Sequence, residues 1–197
     1  MKTILFNPFK KYQENTLLVI GIIATLLGSL VAYIFFARFD GAIDLHFTPD
    51  INLWQPFIDN SINIATLFVV LFVLAKYHNK KTRAVDILNA VLIARIPYYL
   101  VPLLNINNTI SKATDQMMAI VGDTININMA VIPVSSLIII SVFALISLVA
   151  LVWYIILLFN GYKIASNAKG GLTILFFCLA LILAEIMTKV IIVNFPY

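Results

Sequence analysis

From residue 17 to residue 37 the chain runs 21 residues without a charged side chain. A transmembrane helix needs about 20 consecutive, mostly apolar residues, and a helix that is apolar on every face has no place on a water-exposed surface. Four further stretches share this character: residues 57–75, 84–104, about 131–159 and 172–193. The expectation is an all-α fold, one polytopic domain over residues 1–197 built as a five-helix transmembrane bundle. Composition closes off the alternative. With 11% charged residues against about 25% in soluble domains, the chain cannot clothe an aqueous surface, which excludes a secreted or cytosolic enzyme. Cys178 is the single cysteine, so neither an intrachain disulfide nor a Cys-rich metal site is available. The first stretch exceeds the roughly 7–15 residues of a signal-peptide core and no A-x-A site follows, so it reads as a retained helix.

Charges sort by side of the membrane. Lys2, Lys10, Lys11 and Glu14 precede the first span. Lys76, Lys80, Lys81 and Arg83 lie between the second and third, and Lys163 and Lys169 between the fourth and fifth. The alternate loops are acidic: Arg38 stands against Asp40, Asp44, Asp50 and Asp59, and Lys112 against Asp115 and Asp123. Lys and Arg accumulate on cytoplasmic loops, which places the N-terminus inside and the C-terminus outside. The net charge of +4 therefore records orientation and gives no reason to expect nucleic acid. Residues 76–83 are expected to meet anionic inner-leaflet lipid, where each juxtamembrane cation contributes about 1 kcal/mol. Trp153, Tyr154 and Tyr162 would mark the inner interface, and Tyr33, Trp54, Phe195 and Tyr197 the outer one. The segment 6–12, FNPFKKY, reads as a short interfacial anchor or a frayed tail.

Four charges, Asp86, Arg95, Glu185 and Lys189, fall inside the spans and cancel. Each costs about 2.5–3.5 kcal/mol even on lenient scales, so each needs a partner. Arg95 and Glu185 lie 11 and 13 residues from the inner ends of parallel spans, which puts their depths within about 3 Å. The expectation is a direct Arg95–Glu185 pair, with Lys189 one turn beyond Glu185 sharing the carboxylate or snorkelling outward. Asp86 would pair with Lys81 or Arg83. Two functions compete for this cluster: a polar midplane site in a small transporter or channel component, or a clamp that fixes helix packing. The clamp is favoured because no second acid or histidine lies at that depth. Pro97 and Pro102 should kink the third span, since Pro97 leaves the Ile93 carbonyl without its usual helical donor.

Elsewhere, Asp44 and His46 alternate in the first outer loop, where side chains two apart share a side. With Asp40 and Asp50 nearby they form a candidate divalent-metal site, against the plainer reading that outer loops are simply acidic. Gly21, Thr25, Gly28 and Ala32 make a small-residue stripe that lets another helix come close, within the chain or in a second copy. A short interfacial helix is expected around residues 112–121. No Walker loop, H-E-x-x-H helix or G-x-S-x-G elbow is present, and no in-span histidine is placed to activate Ser135, Ser136 or Ser141. The chain is therefore expected to be no enzyme and to need no cofactor.

Two stretches carry a family resemblance. Residues 74–104, LAKYHNKKTRAVDILNAVLIARIPYYLVPLL, and residues 152–169, with VWY followed by NGYK, resemble the Yip family of integral membrane proteins. That family is known in eukaryotes for interacting with Rab GTPases and has many bacterial members. The first stretch is similar to its basic loop leading into a helix with a mid-span proline, the second to its aromatic fourth helix. The resemblance implies a five-span, N-in/C-out protein of membrane organisation or traffic, with protein partners at the cytoplasmic face and no catalytic residues. Eukaryotic members have a longer cytosolic N-terminal region for partner contacts than the roughly 16 residues here, which speaks against Rab-type partners. An Ile- and Asn-rich chain this compact looks like a member from a bacterial cytoplasmic membrane.

Overall fold

The computed structural model describes residues 5–122 and 133–195; residues 131–132 of the expected fourth span, with Lys2, Asp123 and Tyr197, lie outside them. Five helices are long and apolar enough to cross a membrane. A short 3-10 turn, Pro8–Lys10, precedes α1 (Glu14–Ile34). Phe36, at φ 57°, turns the chain into β1 (Ala37–Arg38), which pairs antiparallel with β2 (His46–Phe47). Then come α2 (Trp54–His78), α3 (Ala84–Ala94), a 3-10 segment over Tyr98–Asn108, α4 (Thr109–Gly122), α5 (Val134–Ser166) and α6 (Leu172–Val193).

The burial pattern is inverted relative to a soluble bundle. In α1 the buried residues are Leu17, Gly21, Gly28, Ser29 and Ala32, while Ile22, Ile23, Leu26 and Leu27 are exposed. Large apolar side chains point outward because lipid is as apolar as they are, and small or polar ones point inward because close packing and hydrogen bonds hold such helices together. The third span is the hub. Of its most apolar stretch 72% is buried, against 17–33% in the other four. It packs against α1, α2 and α5, while α6 lies along α2, and Phe177 of α6 meets Phe159 and Tyr162 of α5.

The small-residue stripe is spent within the chain. Gly21 faces Leu92, and Gly28 sits so close to Tyr99 that a Cβ there would come within 2.8 Å of the tyrosine Cβ. Only glycine permits this approach of α1 to the third span.

Several expected boundaries move. The second span extends to Trp54 and His78 because its polar first turns are buried inside the bundle and need no aqueous exit. The third does not run as one helix to residue 104. It breaks after Ala94, and the Ile93 carbonyl that Pro97 cannot serve accepts from the Ile96 N–H instead, at 3.3 Å. That shorter-range bond opens a 3-10 path through Pro102. The fourth continues past Phe159 to Ser166, ending where Asn167 adopts a left-handed conformation at φ 51°. Tyr154 and Tyr162 are fully buried, so they are core residues and not interfacial markers. The N-terminal segment is docked: Trp153 donates its indole N–H to the Leu5 carbonyl and Asn160 its amide to that of Phe6, both at 2.8 Å.

Candidate functional site

The loop between β1 and β2 is the feature that organises the polar interior. Phe39, Gly41 and Ala42 are buried, and the loop folds back among the helices instead of standing in water. It meets Glu185 and Thr188 on α6. Glu185 lies eight residues from the end of that helix at Val193, so the loop tip enters about 12 Å into the bundle at 1.5 Å per residue. Irregular backbone is tolerated at such depth only if its N–H and C=O groups find partners in the protein.

Side chains from four elements supply those partners. Asn63 of α2 donates to the Phe39 carbonyl at 2.6 Å. Thr188 Oγ1 accepts the Ala42 N–H at 3.2 Å. Arg95 Nη1 donates to the Ala42 carbonyl at 3.0 Å, and Glu185 Oε2 accepts the Ile43 N–H at 2.8 Å. The Tyr98 hydroxyl donates to the Ile43 carbonyl at 2.9 Å. The Ala42 carbonyl and the Ile43 N–H belong to one peptide group. Arg95 and Glu185 therefore grip the same amide from opposite ends.

The expected direct Arg95–Glu185 pair is thus corrected. The two depths do bring both charges to one place, but a peptide unit from the β1–β2 loop lies between them. Arg95 is fully buried, and among the described residues it makes no ion pair. Its remaining donors go to Asn60 Oδ1 at 3.0 Å and the Tyr99 hydroxyl at 3.3 Å. The rings of Phe39, Tyr99 and Tyr154 stand 5.6–6.0 Å from its Cζ, where ring faces attract a cation. Asn60 in turn donates to Ser29 Oγ at 2.8 Å, tying α1 into the network. Lys189 bridges outward, 3.6 Å from Glu185 Oε1 and 2.5 Å from Asp44 Oδ2.

Beside this clamp lies an ion pair that sequence reasoning assigned to the aqueous loops. Arg38 donates through Nε and Nη2 to both oxygens of Asp59, each at 2.9 Å, and Asp59 is fully buried. The signal was present in the spacing of Asp59, Asn60 and Asn63. These fall on adjoining positions of one helix face, and all three are fully buried.

The other candidate residues separate. Asp86 is held by Arg83 through two bonds at 3.0 and 2.7 Å, and Arg83 also meets Glu14. Those two carboxylates hold the Arg83 guanidinium above its usual range. Lys76, Lys80 and Lys81 are exposed, with Lys76 Nζ bound to the Lys80 carbonyl at 2.9 Å. Asp44 and His46 do not converge. Asp44 turns to Lys189, while His46 Nδ1 lies 3.0 Å from Asp40 Oδ2. The Asp40 contact raises the His46 imidazole against the opposing effect of burial. Burial works to raise Asp40, but the hydrogen bond and charge of His46 outweigh it and leave the carboxyl below its usual value. Among the described residues no three metal-ligating side chains gather around one point. Comparison with protein-family models, curated proteins and solved structures finds no match for the chain.

Proposed function

We propose that this chain is a non-catalytic, multi-pass organiser or adaptor of a bacterial cytoplasmic membrane, with its N-terminus inside and its C-terminus outside. One observation carries the reading: Arg95 and Glu185 both hydrogen-bond one peptide of the chain's own first outer loop, and the other donors of Arg95 go to Asn60 and Tyr99. Groups that serve a transported ion or proton have to be free to change partners, whereas these are committed to holding backbone at depth. The surface left for partners is cytoplasmic: the exposed lysines of residues 76–81, the docked N-terminal segment and the loop after α5. Lys76, Lys80 and Lys81 would rest on anionic inner-leaflet headgroups, Arg83 being engaged by Glu14 and Asp86. The likeness to the Yip family supports the same role.

Lysine-directed crosslinking in native membranes, read by mass spectrometry, tests this reading. The expected result is a set of cytoplasmic partners joined through Lys80 or Lys81, with ion flux in proteoliposomes no greater than in empty vesicles. Flux above that background, abolished by Glu185→Gln, would overturn it in favour of transport.

A further inference from the structure

At the end of the bundle opposite the clamp, the N-termini of α1 and α3 open onto one cavity of about 260 Å³. Tyr12, Glu14, Arg83, Asp86 and Asn89 line it. Neither helix start has a side-chain cap, so first-turn N–H groups there remain available to an anion. Arg83 Nη1 makes no hydrogen bond among the described residues, although Nε and Nη2 are engaged. The same walls offer acceptors to a cation. Glu14 and Asp86 outnumber Arg83, and Asn89 has an acceptor with no partner among the described residues. Asn89 is 2% exposed and its Nδ2 donates to the Glu14 carbonyl at 3.0 Å, yet its Oδ1 is unpaired. Unpaired buried acceptors are rare enough in native proteins to need a reason.

Tyr12 and Leu17 also form the wall of a second cavity, an apolar groove of about 360 Å³ that runs on past Ile20, Ile93, Pro97 and Leu100. It follows the break in the third span at Ile96 and Pro97. Ile20 and Leu100 on its rim are 43% and 55% exposed, on the lipid-facing outside of the bundle.

We propose that the polar cavity and the apolar groove together bind one phospholipid with a primary-amine headgroup, of the phosphoethanolamine type, drawn from the leaflet on the side of Arg83. Its ammonium donates to Asn89 Oδ1 and lies among the Glu14 and Asp86 carboxylates. Its phosphate meets Arg83 Nη1 and the uncapped helix starts, and one acyl chain lies along the groove. The chemistry selects this headgroup. A choline ammonium has no N–H to give Asn89, and a glycerol headgroup brings no cation to the two carboxylates. The groove selects a lipid over a free headgroup, which would leave the apolar wall uncovered. This inference rests on the proposed function for the name of the leaflet alone.

The test is native mass spectrometry of the full chain, equilibrated with phosphatidylethanolamine, phosphatidylcholine and phosphatidylglycerol of identical acyl chains. Phosphatidylethanolamine is expected to be retained at least tenfold over either of the others. Asn89→Leu is expected to erase the preference over phosphatidylcholine. Ile20→Trp, at a position 43% exposed, is expected to keep the fold, read by circular dichroism, and to lower retention of all three lipids by filling the groove. Equal retention of the lipids by the unsubstituted chain, or an unchanged preference in Asn89→Leu, would overturn the headgroup site. Undiminished retention in Ile20→Trp would overturn the groove. None of these results touches the adaptor reading, which stands or falls on partners and flux.

Discussion

Replacing Arg95 with leucine removes the donor that serves the Ala42 carbonyl, Asn60 Oδ1 and the Tyr99 hydroxyl. Tyr99 keeps its contact with Thr25 Oγ1 at 3.2 Å, so two acceptors are left without this partner. At about 1–3 kcal/mol for each orphaned buried group, the variant should lose about 2–6 kcal/mol. Glu185→Leu orphans the Ile43 N–H and should cost about 1–3 kcal/mol, because Lys189 retains Asp44. A direct ion pair behaves differently, since deleting one partner strands the other and deleting both relieves it. Here a peptide stands between the charges, and removing both side chains frees both of its ends at once. Arg95→Leu/Glu185→Leu is therefore expected to be no more stable than Arg95→Leu alone. Reversible unfolding in detergent micelles, followed by circular dichroism, measures all three variants. A double variant more stable than either single one would refute the peptide clamp and restore the direct pair.

Gly28→Ala should cost about 1–3 kcal/mol as an overpacked contact, because its Cβ would come within 2.8 Å of Tyr99 Cβ. Leu26→Ala, on the lipid-facing side of the same helix at 53% exposure, should stay within about 0.5 kcal/mol, and thermal unfolding of the two variants side by side checks the contrast. The Asp40–His46 contact gives the β1–β2 hairpin a pH window. With the His46 pKa raised, its contribution is complete below the unfolded value of about 6.5 and is lost as pH rises through the folded one. With the Asp40 pKa lowered, its contribution is complete above the unfolded value of about 3.9 and is lost as pH falls through the folded one. Between pH of about 4 and 6.5 both are present, so the unfolding midpoint should peak there and the peak should flatten in His46→Ala. An unchanged profile in that variant would show that the pair contributes nothing.

What sequence reasoning captured was periodic or one-dimensional. The five apolar runs, the α1 stripe and the shared depth of Arg95 and Glu185 follow from counting along a helix, and α6 begins and ends at residues 172 and 193 as counted. What it missed depended on a segment outside the helices. Residues 39–45 count as aqueous on the strength of Asp40 and Asp44, yet Phe39, Ala42, Ile43 and Leu45 are apolar and Gly41 sits among them. A Cβ on Gly41 would come within 2.7 Å of Glu185 Oε2, so that glycine marks a loop pressed against a helix. The expectation that Asp44 and His46 face one point is corrected by the same route. A hairpin that inserts its tip sends Asp44 toward Lys189 and leaves His46 at the rim with Asp40. The polar face of Asp59, Asn60 and Asn63 is legible in the spacing, but nothing in one dimension shows that Arg38 is the partner that Asp59 meets.

Amide hydrogen exchange over residues 39–45, with the chain in lipid nanodiscs, addresses the clamp most directly. Residues 39–45 have no helix or sheet ladder to slow exchange, so any protection comes from Thr188, Glu185 and the burial around them. Protection of the Ala42 and Ile43 amides comparable to the interior of α6, with selective loss at Ile43 in Glu185→Leu, is the predicted result. Exchange of both amides at the rate of an open loop in the unsubstituted protein would contradict it. In that case Arg95 and Glu185 would be free to serve something other than the chain's own backbone.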